Sequence, residues 1–480
     1  MNLKDKRVTV VGLARSGVGA ANLLAAMGAR VTVTDMKTEA ALQDAVRRLS
    51  PAVQCALGGH PEELFSSADM LVISPGVPEI RQIAAARAKG IPVVGELELA
   101  WQVLQMARDQ GLGTGRQTAT AEQGKIPFIA ITGSNGKSTT TTLVDLMLRR
   151  QGHATVLGGN IGNALSEEFL KIIQTGAGMP DAVVAEVSSF QLESIDTFRP
   201  HISAILNITP DHMDRYVSRE DYSRAKARIY MNQSVGDYLV LNADDPETMR
   251  LYDSEPCLAK GEGASVFFFS RRQMVSGVYA KDGMVYETIK TGTALPLIAV
   301  DEIAMHGVHN LENAMAASAM AFLAGCGPEH VAAVLKEFTG LEHRLEFVRE
   351  LAGVRYINDS KGTNADAVLK SLEGFEQPVV LIAGGRDKSG DFTVLREIVS
   401  RKAKAVILIG EAAEKLGSAL HDTVRLVRAV SLAEAVRTAR GIAGAGDVVL
   451  LSPACASFDM FRDFEDRGRQ FKQQVMELKP

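Results

Sequence analysis

Residues 129–142 read Ile-Ala-Ile-Thr-Gly-Ser-Asn-Gly-Lys-Ser-Thr-Thr-Thr-Thr. An apolar strand runs into a glycine-flanked turn, and a helix opens on Lys137-Ser138-Thr139. Such a turn cradles phosphate. The backbone N–H groups around Gly133, Ser134, Asn135 and Gly136 point at one anion, and the helix dipole adds to their pull. Lys137 is placed to reach the outer phosphates of a nucleotide, and the Ser138 hydroxyl to ligate Mg²⁺. Five residues before Gly136 stands Ile131, so this is a shorter T-G-x-N-G-K-S-T loop and not G-x-x-x-x-G-K-[ST].

Three further positions carry groups suited to metal or proton chemistry. Glu186 lies in the apolar run 182–191, where a carboxylate is costly unless it meets a cation or donors. That cost makes it a candidate Mg²⁺ ligand, direct or through water, with a salt-bridged structural glutamate as the alternative. His212 follows a strand in Thr209-Pro-Asp-His-Met-Asp-Arg-Tyr216; a neutral imidazole is an uncommon Mg²⁺ ligand, so by itself it reads as a helix-start or core residue. Lys226, in 222–228, by itself reads as a solvated helix lysine.

Farther on, residues 356–363 and 382–390 are strand ends that run into polar, glycine-containing turns, each with a lysine, Lys361 and Lys388. The run Leu451-Ser-Pro-Ala-Cys-Ala-Ser457-Phe458 ends another strand. All three belong on the ligand-binding rim of a parallel sheet. At the N-terminus, Gly12-Leu-Ala-Arg-Ser16-Gly17 approaches a dinucleotide fingerprint but has Ala14 where the middle glycine would stand. Asp35 ends the next strand, where an acid meets a ribose hydroxyl. Ser74-Pro-Gly76 ends another on the same rim.

These residues need sheets to hold them. Strands are expected at 7–12, 30–35, 70–74 and 91–94, with a helix at 17–28. A second block begins at 126, with strands at 128–132, 182–189, 202–208 and 237–242, a hairpin turning at Asp282-Gly283, and a helix at 309–324. A third has strands at 353–358, 378–383, 404–409 and 447–451. The fold class is α/β in three domains: a Rossmann-like domain at 1–104, a linker at 105–125 with a glycine-rich stretch at 110–124, a central P-loop ATPase-like domain at 126–340, and a C-terminal Rossmann-like domain at 341–480. The length of 480 residues exceeds what one core supports. A net charge of −5 argues against a general nucleic-acid or membrane-surface binder. No apolar run approaches the ~18 residues that span a bilayer, Met1-Asn-Leu-Lys-Asp-Lys-Arg7 runs into a strand so that no leader is expected, and the four cysteines show no paired spacing. A cytoplasmic protein with free thiols is expected.

Taken together, nine segments make the chain resemble the Mur ligase family of ATP-dependent amino-acid ligases. They are TGSNGKST (132–139), GGNIG (158–162), EVSSFQLE (186–193), DHMDRY (211–216), AKARIY (225–230), HNLENA (309–314), GLEHR (340–344), NDSKGTN (358–364) and SPACASFDMF (452–461). The resemblance covers nearly the whole chain and is strongest to members that join D-glutamate to UDP-N-acetylmuramoyl-L-alanine. It implies that Lys137 and its loop, Gly133 to Thr139, bind the ATP phosphates, with Asn313, Arg344 and Asp359 on the nucleotide. It implies one Mg²⁺ on Ser138 and Glu186, and a second supported by His212 and an N-carboxylated Lys226. Lys361 joins these as a catalytic position. Thr363, Lys388, Ser457 and Phe464 match positions that receive D-glutamate. Ser16, Asp35, Met36, Lys37, Ser74, Gly76 and Asn160 line the path of the uridine nucleotide. A monomer with no nucleic-acid or membrane partner is expected.

The implied chemistry is phosphorylation of a carboxylate, attack by an amine on the acyl phosphate, and loss of phosphate. The alternatives within the class add diaminopimelate or lysine, or extend folate with glutamate. A nicotinamide-dependent oxidoreductase, resting on residues 7–35, and a non-catalytic nucleotide switch are the readings from other classes.

Overall fold

The structure, a computed structural model, describes residues 3–109, 127–213, 215–254, 263–305, 307–387 and 390–479. The chain divides into two compact units. The first takes Met1–Ile208, Tyr222–Glu302 and Glu312–Lys336; the second takes Thr209–Asp221, Ile303–Leu311 and Glu337–Pro480.

The first unit holds two sheets. One is built from β1 (Arg7–Val11), β2 (Arg30–Asp35), β3 (Gln54–Leu57), β4 (Met70–Ile73) and β5 (Val93–Gly95) in the order β3-β2-β1-β4-β5, all parallel. The order reverses between β1 and β4, which opens a crevice at their carboxyl ends. The other sheet has nine strands: β6 (Phe128–Thr132), β7 (Thr155–Gly159), β8 (Ala182–Glu186), β9 (Ile202–Ile205), β10 (Tyr238–Asn242), β11 (Ser265–Ser270), β12 (Gly277–Lys281), β13 (Met284–Glu287) and β14 (Leu295–Ala299). Its order is β14-β13-β12-β11-β10-β9-β6-β8-β7. All five residues of β6 and of β8 are buried, as a strand covered on both faces requires.

The two sheets are joined through the helix Glu96–Asp109. Glu98, wholly buried, accepts hydrogen bonds from the backbone N–H groups of Asp196, Thr197 and Phe198. Trp101 packs edge-on against both Phe128 and Phe198. The helix carries through 105–109, numbered in the expected linker; the apolar spacing that docks Trp101 continues to Ala107. Residues 110–126, most of the expected linker, lie outside the described residues.

The second unit is centred on β15 (Glu346–Leu351), β16 (Val354–Asn358), β17 (Val379–Gly384), β18 (Ala403–Ile409), β19 (Arg425–Arg428) and β20 (Val448–Leu451), ordered β15-β16-β20-β17-β18-β19. Only the β15–β16 pair among these is antiparallel. The segments 209–221 and 303–311, numbered inside the expected central domain, group with this sheet. Several strands stop earlier than expected. β8 ends at Glu186 because Ser188 and Gln191 form a capping box that starts a helix at Ser189. The first helix runs Arg15–Ala26 and stops before Gly28, at φ +84.

Candidate active site

β6 lies between β8 and β9, and its carboxyl end carries the phosphate-type loop. Gly136, at φ +83, caps the helix Lys137–Arg150. A Cβ on Gly136 would fall 2.1 Å from Asn313 Oδ1, so the helix Val308–Leu323 packs directly on the turn. The loop is pinned from the segment after β9 by a residue the motif does not contain: Asn207 accepts at its backbone carbonyl from Ser134 N (2.9 Å) and at Oδ1 from Asn135 N (2.8 Å), and its Nδ2 donates to Asn135 O (3.2 Å). Lys137 Nζ turns back and donates to Gly133 O and Ser134 O, both at 2.9 Å.

Beside the loop stands the expected hydroxyl and carboxylate pair. Ser138 Oγ donates to Glu186 Oε2 at 2.5 Å, and Asn160 Nδ2 donates to Glu186 Oε1 at 2.7 Å. Glu186 is 1% exposed. This set of hard oxygen donors at the head of a helix suits Mg²⁺. Lys226 is not the solvated lysine that its position alone suggests. It is 2% exposed, its Nζ donates to Gly133 O at 2.9 Å, and it lies over the Tyr222 ring. The reason is its place on the buried face of the helix Arg219–Ala227 with Tyr222 and Ala225. Tyr222 also meets Ser134 Oγ at 3.2 Å. Lys137, Ser138, Glu186, Asn160, Lys226 and Asn313 are thus gathered around one loop.

His212 belongs to the segment 209–221 of the second unit. It starts no helix and is half-buried. It adopts φ +57 in a turn whose carbonyl accepts from Arg215 N and Tyr216 N. Its Nε2 lies 3.6 Å from Asp211 Oδ2.

In the second unit, the three rims foreseen in the C-terminal block come from the adjacent strands β16, β20 and β17. Lys361 Nζ lies 3.8 Å from the centroid of the Phe464 ring. Thr363 follows in the same turn, and Ser457, buried, ends the turn after β20. The turn after β17 is laced to this one through backbone bonds between Arg386 and Ala456. Lys388 lies outside the described residues. Arg467, which the sequence analysis did not single out, is wholly buried beneath these turns. It donates to Ser360 Oγ and O and to Cys455 O, and burial pulls its pKa down to about 10. Asp359 is held by Ser371 Oγ (2.8 Å) and Ser452 Oγ (2.7 Å), and burial pushes its pKa up to about 6. Arg344 is near enough to pull that value partly back.

At the N-terminal crevice, Ser74 Oγ donates to Gly12 O at 2.9 Å, and Gly17 packs so closely on Gly12 O that no side chain fits there. Asp35 accepts from Leu13 N at 2.8 Å and from Lys37 N at 2.9 Å, so its carboxylate braces the two turns of the rim. Ser16 is half-buried, Met36 and Lys37 are exposed, and Gly76 has open space around it.

Comparison with known proteins places these features in one lineage. Three family models match: a Mur ligase MurD-like N-terminal domain over residues 6–95, a Mur ligase middle domain over 131–321, and a Mur ligase glutamate ligase domain over 343–455. The UDP-N-acetylmuramoylalanine–D-glutamate ligase of Alkaliphilus metalliredigens is 42% identical over 487 residues, covering 100% of both chains. That of Geotalea uraniireducens is 43% identical over 480 residues, covering 100% of this chain and 99% of its own. Among solved structures, a UDP-N-acetylmuramate–alanine ligase from Thermotoga maritima is similar with a TM-score of 0.59 at 19% identity, over 99% of this chain and 100% of that one. A MurF ligase of the same organism, in complex with ADP, has a TM-score of 0.59 at 14% identity, over 93% and 95%. At such identities the structural likeness speaks for the fold.

Proposed function

The chain belongs to the Mur ligase family, and from that premise we propose that it joins D-glutamate to UDP-N-acetylmuramoyl-L-alanine with ATP, in the synthesis of peptidoglycan precursors. The observation that carries the reading is the full-length identity to D-glutamate ligases, with the Ser138–Glu186 pair set at the head of a phosphate loop in support.

The chemical problem is to bring two anions together, the alanyl carboxylate and the γ-phosphate. Backbone N–H groups from Gly133 to Thr139 receive the phosphates, and the Lys137 ammonium swings from its loop carbonyls to the outer ones. The carboxylate oxygen attacks the γ-phosphorus and ADP departs. The amine of D-glutamate then attacks the acyl carbon, and phosphate leaves the tetrahedral intermediate as the amide forms. Ser138 and Glu186 would hold a Mg²⁺ ion, whose positive charge would offset the repulsion; His212 in the second unit and Lys226 in the first are each candidate supports for another. Within the first unit Asn313 serves the nucleotide, and within the second Arg344 and Asp359 are the candidates for it. Thr363, Ser457 and Phe464 receive the amino acid beside the catalytic Lys361, and Lys388 pairs with its side-chain carboxylate. Ser16, Asp35, Met36, Lys37, Ser74 and Gly76 at the N-terminal crevice, and Asn160 beside Glu186, guide the uridine nucleotide.

N-carboxylation of Lys226 fits the electrostatics. Lys137 and Lys226 each donate to Gly133 O at 2.9 Å, so their ammonium groups lie within about 6 Å of each other and repel. A carbamate removes one of those cations and offers oxygen donors that Mg²⁺ prefers. Among the described residues no helix is long and apolar enough to cross a membrane; the reading carries a cytoplasmic monomer with it.

The test is phosphate release from ATP with UDP-N-acetylmuramoyl-L-alanine and a panel of D- and L-amino acids. Release is expected with D-glutamate, together with an equal amount of amide product. Release with diaminopimelate or lysine and none with D-glutamate would refute the reading.

A further inference from the structure

Asn364 directly follows Thr363 and caps the helix Ala365–Glu373, its Oδ1 accepting from Ala367 N at 2.8 Å. The acceptor end of the amide is therefore committed to a backbone donor, and the NH₂ faces the other way. That NH₂ donates to Asp211 Oδ2 at 3.1 Å. The second oxygen of Asp211 accepts the backbone N–H of His212 at 2.9 Å. Two residues along both segments, Thr209 Oγ1 donates to Asp366 Oδ2 at 3.0 Å. Two side-chain bonds thus clip 209–212 to the start of this helix. His212 needs such support, because its φ of +57 is a conformation that side chains other than glycine seldom adopt.

We propose that Asn364 is a positioning residue, which through Asp211 fixes the turn and orientation of His212 and ties them to the turn of Lys361 and Thr363. For what His212 then does, the proposal rests on the ligase reading; the clip itself does not. An amino acid seated at Lys361 and Thr363 orders the residue that follows them, and that residue holds the turn carrying His212. Seating of the amino acid and placement of His212 become one event.

Asn364→Asp separates this role from capping. Aspartate caps a helix as well as asparagine, but it sets a carboxylate against that of Asp211, and the clip opens by repulsion. Asn364→Asp with Asp211→Asn exchanges donor and acceptor and restores the bond. In Asn364→Asp, hydrogen exchange at the amides of His212, Arg215 and Tyr216 is expected to quicken about tenfold or more. kcat should fall 10- to 100-fold, the range for a lost hydrogen bond to a charged group. KM for ATP should move less than about twofold, and the melting temperature should stay close to that of the parent. The double variant should regain slow exchange and at least about tenfold in kcat over Asn364→Asp. Parental exchange and kcat in Asn364→Asp would overturn the proposal. So would a double variant that regains protection without turnover, because Asp211 would then act on the reactants directly. A parent that fails to ligate D-glutamate sinks the ligase reading, while the exchange data still decide the clip.

Discussion

Replacing Gly136 with alanine tests how the nucleotide loop is built. Two effects add. Alanine at φ +83 loses about 1–2 kcal/mol to the left-handed backbone. Its Cβ would also stand 2.1 Å from Asn313 Oδ1 and 3.1 Å from Cγ. The oxygen must retreat by about 1.3 Å to reach ordinary contact, and misfit of that size in a packed site costs about 1–3 kcal/mol. The sum is about 2–5 kcal/mol, concentrated in the one arrangement that holds Gly136 and Asn313 together. The backbone share falls on stability; at 1.4 kcal/mol per tenfold, the misfit share of about 1–3 kcal/mol should lower affinity for a non-hydrolysable ATP analogue roughly 5- to 150-fold. Calorimetric titration reads that loss, and a thermal melt reads the share that falls on stability. Gly152→Ala is the control, because Gly152 has φ +98 but nothing within 4 Å of its added Cβ; it should lose stability alone, by about 1–2 kcal/mol. Unchanged affinity and melting temperature in Gly136→Ala would refute the claim that this contact shapes the loop.

Other consequences follow from single groups. Lys226→Ala should lose turnover by about 10²-fold or more and regain part of it with millimolar short carboxylates, if a carbamate is the working form; a folded variant with no recovery would count against it. Asp359, with a pKa of about 6 in the fold against 3.8 ordinarily, binds a proton in the native state over a range where the unfolded chain has released it. Its contribution therefore weakens stability as pH rises from about 4 to 6, by on the order of 3 kcal/mol. Asp359→Asn should remove that slope from denaturant unfolding measured between pH 4 and 7, and parallel curves for the two proteins would dispose of the idea.

The strand, turn and helix around residues 132–139 were legible because each carries local signals within a short stretch. The parallel sheets were legible for the same reason, since buried strands such as β6 and β8 are unbroken apolar runs. Asn207 was not, because its job is to hold a loop more than seventy residues away, and nothing beside it in the chain reports that. The edge strand β15 was missed because its exposure alternates weakly, with Phe347 turned outward and a register shift after it. The docking of the first sheet on the second through Glu98 is likewise a long-range event, and a glutamate in a helix gives no local hint of a partner a hundred residues on.

Lys226 shows where a sharper sequence signal existed. Tyr222, Ala225, Lys226 and Ile229 follow the i, i+3, i+4, i+7 spacing of a buried face, and all four are buried. A lysine on an apolar stripe is out of place in the way that Glu186 is within an apolar strand. Arg467 repeats the pattern with Phe471 and Val475. A misplaced charge alone does not separate function from architecture, since Glu98 is as deeply buried as any of them. The partners do. Glu98 and Arg467 spend their capacity mainly on backbone groups. Glu186 instead meets a serine hydroxyl and an asparagine amide, side chains able to turn toward an incoming ligand. Lys226 shares its carbonyl with a second ammonium, an arrangement that an arriving anion or a carbamate would relieve.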